Sequence, residues 1–230
     1  MKLGGLQKMT LLDFPGRVAC TVFTAGCNFR CPFCHNSSLV LSPRVAELSQ
    51  DDFFAFLEKR RGLLDGVAIT GGEPCLHADL PDLLEKIRAM GYGVKLDTNG
   101  CHPELLRTML ERGLVDYVAI DIKNSPAKYA AACGMGTVDL APIRQSIELL
   151  MTAAPDYEFR TTVVAELHEA ADFAEIGQMI RGAKRYFLQA FTDRDTVPFE
   201  GFHAPAKEDM LRFADAVRPF VGEVSLRGVD

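Results

Sequence analysis

Cys27, Cys31 and Cys34 stand in one short loop, Cys27-Asn28-Phe29-Arg30-Cys31-Pro32-Phe33-Cys34-His35-Asn36, directly after the apolar, β-rich run from Val18 to Thr24. Their gaps of four and three residues suit three thiolates on three irons of one cubane iron-sulfur cluster, with the fourth iron left without a protein ligand. An open iron is a place for chemistry rather than for simple electron storage. A structural zinc site made of the three cysteines and His35 is the competing reading, since three cysteines and one histidine are a known zinc set. Its spacing is poor, because the side chains of the adjacent Cys34 and His35 diverge from an extended backbone. Disulfides fit less well still, as the seven cysteines are an odd number without paired spacings.

A second group of polar residues ends other β-like runs. Gly71-Gly72-Glu73-Pro74 follows the run from Gly66 to Thr70, and adjacent glycines let a ligand approach the backbone because no Cβ intrudes. Taken alone, the pair reads as a tight turn between strand and helix. Asp97-Thr98-Asn99-Gly100 ends the next run, and Asp121 and Lys123 lie in Ala119-Ile120-Asp121-Ile122-Lys123. Charges two residues apart on a mostly apolar strand point to one side, which is costly unless that side faces a polar site. The plainer alternative is charges leaving the core at a strand end. Two such strands at the edge that carries the cysteine loop favour a site.

The elements that must position these residues alternate. Strands are expected over Val18 to Thr24, Gly66 to Thr70, Gly93 to Asp97, Val115 to Ile122, Tyr157 to Val164 and Tyr186 to Gln189. Between them, apolar residues recur at helical spacing, as in Leu80/Leu83/Leu84/Ile87 and Ile143/Ile147/Leu150. Ser49, Asp139, Pro81 and Pro103 mark helix starts, and Gly62, Gly91, Gly113 and Gly182 mark helix ends. A helix near Ala206 to Val217 and a strand near Glu223 to Leu226 close the chain. Six β/α units predict an α/β fold, a partial, open (β/α)6 barrel of the TIM type, with a doubly wound open sheet as the alternative. Both place a site at the C-terminal ends of the strands, where the cysteine loop lies.

The 230 residues, 48% of them hydrophobic, suffice for one core, and a single domain spanning 1–230 is expected. No apolar run is long enough to cross a bilayer or to serve as a secretory signal, so the expected location is cytoplasmic. The cysteine usage fits a reducing compartment. A net charge of −6 argues against broad nucleic-acid binding. Lys59-Arg60-Arg61 reads as the solvated end of a helix rather than as a phosphate patch.

The cysteine loop, with an aromatic residue, Phe33, just before its third cysteine, resembles the signature of the radical S-adenosylmethionine (SAM) superfamily. By that resemblance Gly71, Gly72 and Glu73 contact the methionyl amino group of SAM, and Phe33 and His35 also count as cofactor contacts. Lys123 suits the SAM carboxylate, while Asp97 and Asp121 suit its cationic and hydroxyl groups. Cys34-His35-Asn36, the Asp-Thr-Asn-Gly stretch and the Asp-x-Lys strand end closely resemble the glycyl-radical-enzyme activating enzymes, and the likeness covers almost the whole chain. Within that family it is strongest to the activators of anaerobic ribonucleoside-triphosphate reductase, relatives of the pyruvate formate-lyase activating enzyme.

The resemblance implies a 4Fe-4S cluster on Cys27, Cys31 and Cys34 and a bound SAM. It also implies a monovalent cation near SAM at Asp97, Thr98 and Asp121, and it matches Arg160 to an arginine on the fifth strand. The implied reaction is reductive cleavage of SAM, followed by removal of a hydrogen atom from a backbone glycine, and it needs no side chain as general base. The implied partners are a glycyl-radical enzyme, foremost an anaerobic ribonucleotide reductase, and a flavodoxin- or ferredoxin-type electron donor, with no nucleic acid and no membrane. Phe191 stands where the pyruvate formate-lyase activator has a histidine, which puts the adenine side of the pocket in question, and no cysteine-rich insert is present. Cys75 and Cys101 read as small hydrophobic residues under a loop, Cys20 and Cys133 as structural or incidental, and His77, His102, His168 and His203 as surface or capping residues. Two rivals share the cysteine loop: a radical SAM enzyme for a small molecule or peptide, and an electron-transfer or binding protein that never cleaves SAM.

Overall fold

The computed structural model describes residues 1–41 and 48–229. Eight strands make one sheet, in the order β1 (Leu3–Thr10), β2 (Ala19–Thr24), β3 (Gly66–Gly71), β4 (Gly93–Thr98), β5 (Tyr117–Asp121), β6 (Tyr157–Val163), β7 (Arg185–Ala190) and β8 (Glu223–Arg227). β1 is antiparallel to β2, and all later neighbours are parallel. The helices are α1 (Ser37–Leu41), α2 (Gln50–Lys59), α3 (Leu80–Ala89), α4 (Pro103–Glu111), α5 (Tyr129–Ala132), α6 (Ala141–Ala153), α7 (Ala170–Met179) and α8 (Lys207–Val217), and a 3₁₀ turn spans Pro74–Leu76. Spatial order repeats chain order without the reversal that a doubly wound sheet requires, so the fold is the open (β/α)6 barrel. β1 and β8 are its edges and do not pair with each other, and Leu3 of β1 makes an isolated antiparallel bridge with Leu48. Among the described residues no helix is long and apolar enough to cross a membrane.

Strand alternation divides the sheet into two unlike faces. Val67, Ile69, Val94, Leu96, Val118, Ile120 and Phe159 join Leu83, Leu84, Ile87, Met109, Ile147 and Ile176 of the helices in one buried apolar layer. The intervening Lys95, Asp97, Asp121, Glu158 and Arg160 therefore point into the barrel. The outer layer holds the fold together by apolar burial, and the lumen is left polar. The floor is closed where Phe14, between β1 and β2, packs against Tyr117 with ring centroids 6.4 Å apart.

Helix boundaries follow local chemistry. Ser49 caps α2 by accepting from the amide of Asp52 at 3.0 Å, and Gly62, Gly91, Gly113 and Gly182 take the positive φ of helix-ending residues. Two features depart from the sequence expectation. β1 lacked a strand signal because Leu3-Gly4-Gly5-Leu6 has no period of two, and its pairing with β2 is broken by two register shifts. His168, expected at the surface or as a cap, is buried. The amide of Val164 donates to its Nδ1 at 3.1 Å, which leaves the proton on Nε2 to donate to the carbonyl of Lys123 at 3.0 Å. Burial keeps this imidazole neutral by lowering its pKa, so it fixes the main chain at the end of β5.

Candidate active site

At the C-terminal ends of the parallel strands lies a cavity of about 380 Å³. Every residue assigned from the sequence to the cluster or the cofactor lines it: Cys27, Cys31, Phe33, Cys34, His35, Gly71, Gly72, Glu73, Asp97, Thr98, Asp121, Lys123 and Arg160.

The cysteine loop is bound to its neighbours through backbone groups. The amide of Gly72 donates to Thr24 O at 2.9 Å, and that of Glu73 donates to Gly26 O at 2.8 Å. A Cβ on Gly72 would lie 1.9 Å from Gly26 O, and Gly71 has φ +116° with Thr24 N 2.4 Å from where its Cβ would be. The room left by the two glycines is thus taken largely by the backbone of Phe23, Thr24 and Gly26, which leads into the cysteine loop, where the sequence suggested an approaching ligand. Asn36 Nδ2 donates to Gly71 O at 2.9 Å, Asn99 Nδ2 donates to Asn28 Oδ1 at 2.7 Å, and His77 Nε2 lies 2.9 Å from Ala25 O. His77 is therefore a brace of the loop rather than a surface residue.

Three thiols around one cavity supply the donor set that a cubane cluster takes, one thiolate to each of three irons. His35 Nε2 lies 2.6 Å from Thr192 O and the ring stacks on Phe191 at 5.4 Å, so that nitrogen is taken up outside the cysteine set. Phe29 N donates to Cys27 Sγ at 3.4 Å, a donor of the kind that supports a cluster thiolate. Burial pushes the Cys27 thiol up to about 11 and raises Cys34, while a hydrogen bond with the Cys133 thiol lowers Cys31 to about 7. Cys133 is fully buried behind the loop, and its carbonyl accepts from Arg30 N at 2.8 Å.

Opposite the cysteines, charges alternate in a line. Lys95 pairs with Asp97 Oδ1, Arg160 Nη2 donates to Asp97 Oδ2 at 3.0 Å, Arg160 Nε pairs with Asp121 Oδ1, and Lys123 Nζ donates to Asp121 Oδ2 at 3.1 Å. Burial alone would raise both carboxyls. Arg160 with Lys95 outweighs it at Asp97, and Arg160 with Lys123 outweighs it at Asp121, so both are held below the usual carboxylate range. For Lys123 burial acts downward, and Asp121 and Cys31 overcome it and raise the ammonium. Glu73 differs, because burial dominates and raises its carboxyl. It accepts from Thr98 Oγ1 at 2.6 Å, Asn99 N at 2.6 Å and Cys75 N at 2.9 Å, so it organises the strand ends from within the cavity wall.

On the aromatic side, Phe191 is buried behind Phe33 and His35, edge-on to the first with centroids 6.4 Å apart and stacked on the second. It shapes the wall without lining the cavity. Lining residues that were not expected include Gln7, Asp13, Thr21, Thr162, Gln189 and Arg194. Thr162 lies two residues beyond Arg160 on β6, a spacing that the sequence shows; Gln7 sits on the strand that carried no signal.

Residues 21–174 match the sequence model of the Radical SAM superfamily. A Methanocaldococcus jannaschii protein provisionally named a glycyl-radical enzyme activating enzyme is 27% identical over 238 residues, covering 99% of this chain and 96% of its own. The pyruvate formate-lyase-activating enzyme of Listeria monocytogenes is 31% identical over 140 residues, 56% of each chain. In fold, the chain is similar to Streptococcus suis SuiB bound to S-adenosylmethionine, with a TM-score of 0.68, 13% identity and coverage of 89% of this chain and 49% of that one. With three loop cysteines at the mouth of an open (β/α)6 barrel and two thirds of its length inside the family model, the chain belongs to the radical SAM superfamily.

Proposed function

We propose that this protein is a glycyl-radical-enzyme activating enzyme that binds a 4Fe-4S cluster on Cys27, Cys31 and Cys34 and SAM beside it. The observation that carries the reading is the meeting of the three thiols and the Asp97–Arg160–Asp121–Lys123 chain in one cavity. Held by Cys27, Cys31 and Cys34, the cluster would supply the one electron that reductive cleavage of SAM needs. The protein's part is to bind, orient and exclude water. Lys123 receives the SAM carboxylate, and the Gly71-Gly72-Glu73 turn, packed on the segment before the cysteines and braced through the three donors to Glu73, meets the amino group from its cavity side. Phe33 and His35, backed by Phe191, offer the apolar wall for adenine. Asp97, Thr98, Asp121 and Arg160 complete the SAM contacts.

A glycyl-radical enzyme as partner is supported by the likeness to the M. jannaschii protein over 99% of this chain and by the architecture. A backbone glycine arrives as part of a chain segment, and a barrel whose edge strands do not pair admits a segment more readily than a closed pocket does. The proposed partner is an anaerobic ribonucleotide reductase, reduction comes from a flavodoxin- or ferredoxin-type donor, and the chain works as a single domain over 1–230 in the cytoplasm. Anaerobically reduced protein mixed with SAM and the reductase from the same source is expected to show an electron paramagnetic resonance doublet. That doublet should collapse when the glycine α-hydrogen is replaced by deuterium. Accumulation of 5′-deoxyadenosine without the doublet refutes the glycyl-radical reading and leaves a small-molecule or peptide substrate; absence of both refutes SAM cleavage.

A further inference from the structure

Lys95 carries chemistry that the sequence reading passed over. It precedes Asp97 by two residues on β4, so both side chains point into the barrel. Lys95 is 2% exposed, its ammonium is paired with Asp97 Oδ1, and the ring of Tyr117 lies 5.8 Å from Nζ. The second oxygen of Asp97 is held by Arg160, which also holds Asp121, and the second oxygen of Asp121 is held by Lys123. Three cations and two carboxylates thus alternate, with a cation at each end. Thr98 leaves the strand on the opposite side and donates to Glu73.

The groups that the resemblance offers to a monovalent cation are therefore engaged elsewhere. An alkali-metal ion between Asp97 and Asp121 would have to displace the guanidinium of Arg160, whose Nη1 also lies 3.9 Å from Glu158 Oε1, and would enter a group whose carboxylates are already matched by cations. A buried ammonium is tolerated only where it is paired, and Lys95 is paired with the carboxylate that such an ion would need.

We propose that Lys95 is a positioning residue that, together with Arg160, replaces the monovalent cation in this chain, holding Asp97 and Asp121 in place so that SAM binds without any alkali-metal ion. The proposal rests on the cavity being the SAM site.

Isothermal titration of the cluster-loaded protein with SAM tests it, at constant ionic strength, with potassium, sodium or tetramethylammonium as the sole monovalent cation. Wild-type affinity is expected to agree within about twofold across the three salts. A gain of about tenfold or more in potassium or sodium over tetramethylammonium overturns the proposal. In tetramethylammonium, Lys95→Ala is expected to weaken SAM binding by about tenfold or more, because Asp97 loses its buried partner. Potassium or sodium should restore part of that loss, since the space beside Asp97 then admits an ion. Unchanged affinity in the variant, or a loss that no salt relieves, overturns the replacement of the ion. If Lys95→Ala does not fold, the wild-type salt series decides alone. The melting temperature of the cluster-free protein gives a readout without SAM: potassium should leave the wild type unchanged relative to tetramethylammonium and raise Lys95→Ala. Failure of the wild type to bind SAM in every salt refutes the SAM site itself, and the melting series still decides the role of Lys95.

Discussion

A thiol ligates iron only after losing its proton, and burial keeps Cys27 and Cys34 protonated in the metal-free fold while Cys133 lowers Cys31. Cluster assembly therefore has to displace protons, which only residues placed at the irons can offer in return for a metal bond. Replacing Cys27, Cys31 or Cys34 with Ala is expected to abolish the visible cluster absorption after anaerobic reconstitution. Cys75→Ala, Cys101→Ala and Cys133→Ala should retain it, and full loss in any of these three would redraw the ligand set. At this scale the sequence was informative because chemistry-bearing types stood at telling spacings. The period-two rule that exposed Asp121 and Lys123 also applies to Lys95 and Asp97. Lys95 was passed over because it stands one step below the strand end, where only the barrel shows that a charge has partners.

At the scale of elements, the turn after β3 and the cysteine loop after β2 form one unit, since Gly71 and Gly72 touch the backbone of that loop directly. Gly72→Ala should therefore destabilise the fold by about 2 kcal/mol or more, because the new methyl would meet a carbonyl that cannot move freely. It should also lower the iron content after reconstitution. Gly136→Ala serves as the control, since nothing lies within 4 Å of its Cβ position, and its melting temperature should match the wild type. Equal stability of the two variants would show that the contact at Gly26 is not limiting. The seven parallel strands and their helices were legible because amphipathic periods and capping residues agreed with each other. β1 was not, since an edge strand with paired glycines draws its order from β2 rather than from its own pattern.

For the whole molecule, the polar lumen links elements far apart in the chain. Glu158 on β6 accepts from both terminal nitrogens of Arg227 on β8, at 3.1 and 3.0 Å, and from Tyr117 Oη on β5 at 2.9 Å. These contacts join β5, β6 and β8, as the pairs of Arg160 with Asp97 and Asp121 join β4, β5 and β6. Asp97 and Asp121 have folded pKa values below the usual Asp value. Their contribution to stability is present above the unfolded pKa of about 3.9 and is lost as pH falls through the folded values. Glu73 acts in the opposite sense: its pKa is raised, so its contribution is present below the unfolded value and lost as pH rises through the folded one. Two lowered carboxyls against one raised one should make the melting temperature drop below about pH 4. Asp97→Asn should show a shallower drop, measured by circular dichroism, and an equal slope in both proteins would remove Asp97 from the acid-sensitive set.

What the sequence by itself determined was the chemistry and the alternation. Thiol spacing is a property of one short segment, period-two charges are a property of one strand, and helix caps are local, so each could be read without knowing its neighbours. The tertiary structure decided what each group is spent on. Only the folding of β2 against β3 shows that Gly72 makes room for a carbonyl, and only the ring of strands brings Lys95, Asp97, Arg160, Asp121 and Lys123 into one alternating line. Glu73 and His168 show the same limit, since a buried carboxylate with three donors and a buried imidazole on a strand-end carbonyl are set by partners 25 and 45 residues away. Pairing energies of this kind depend on distances between remote segments, and those distances exist only once the barrel has formed.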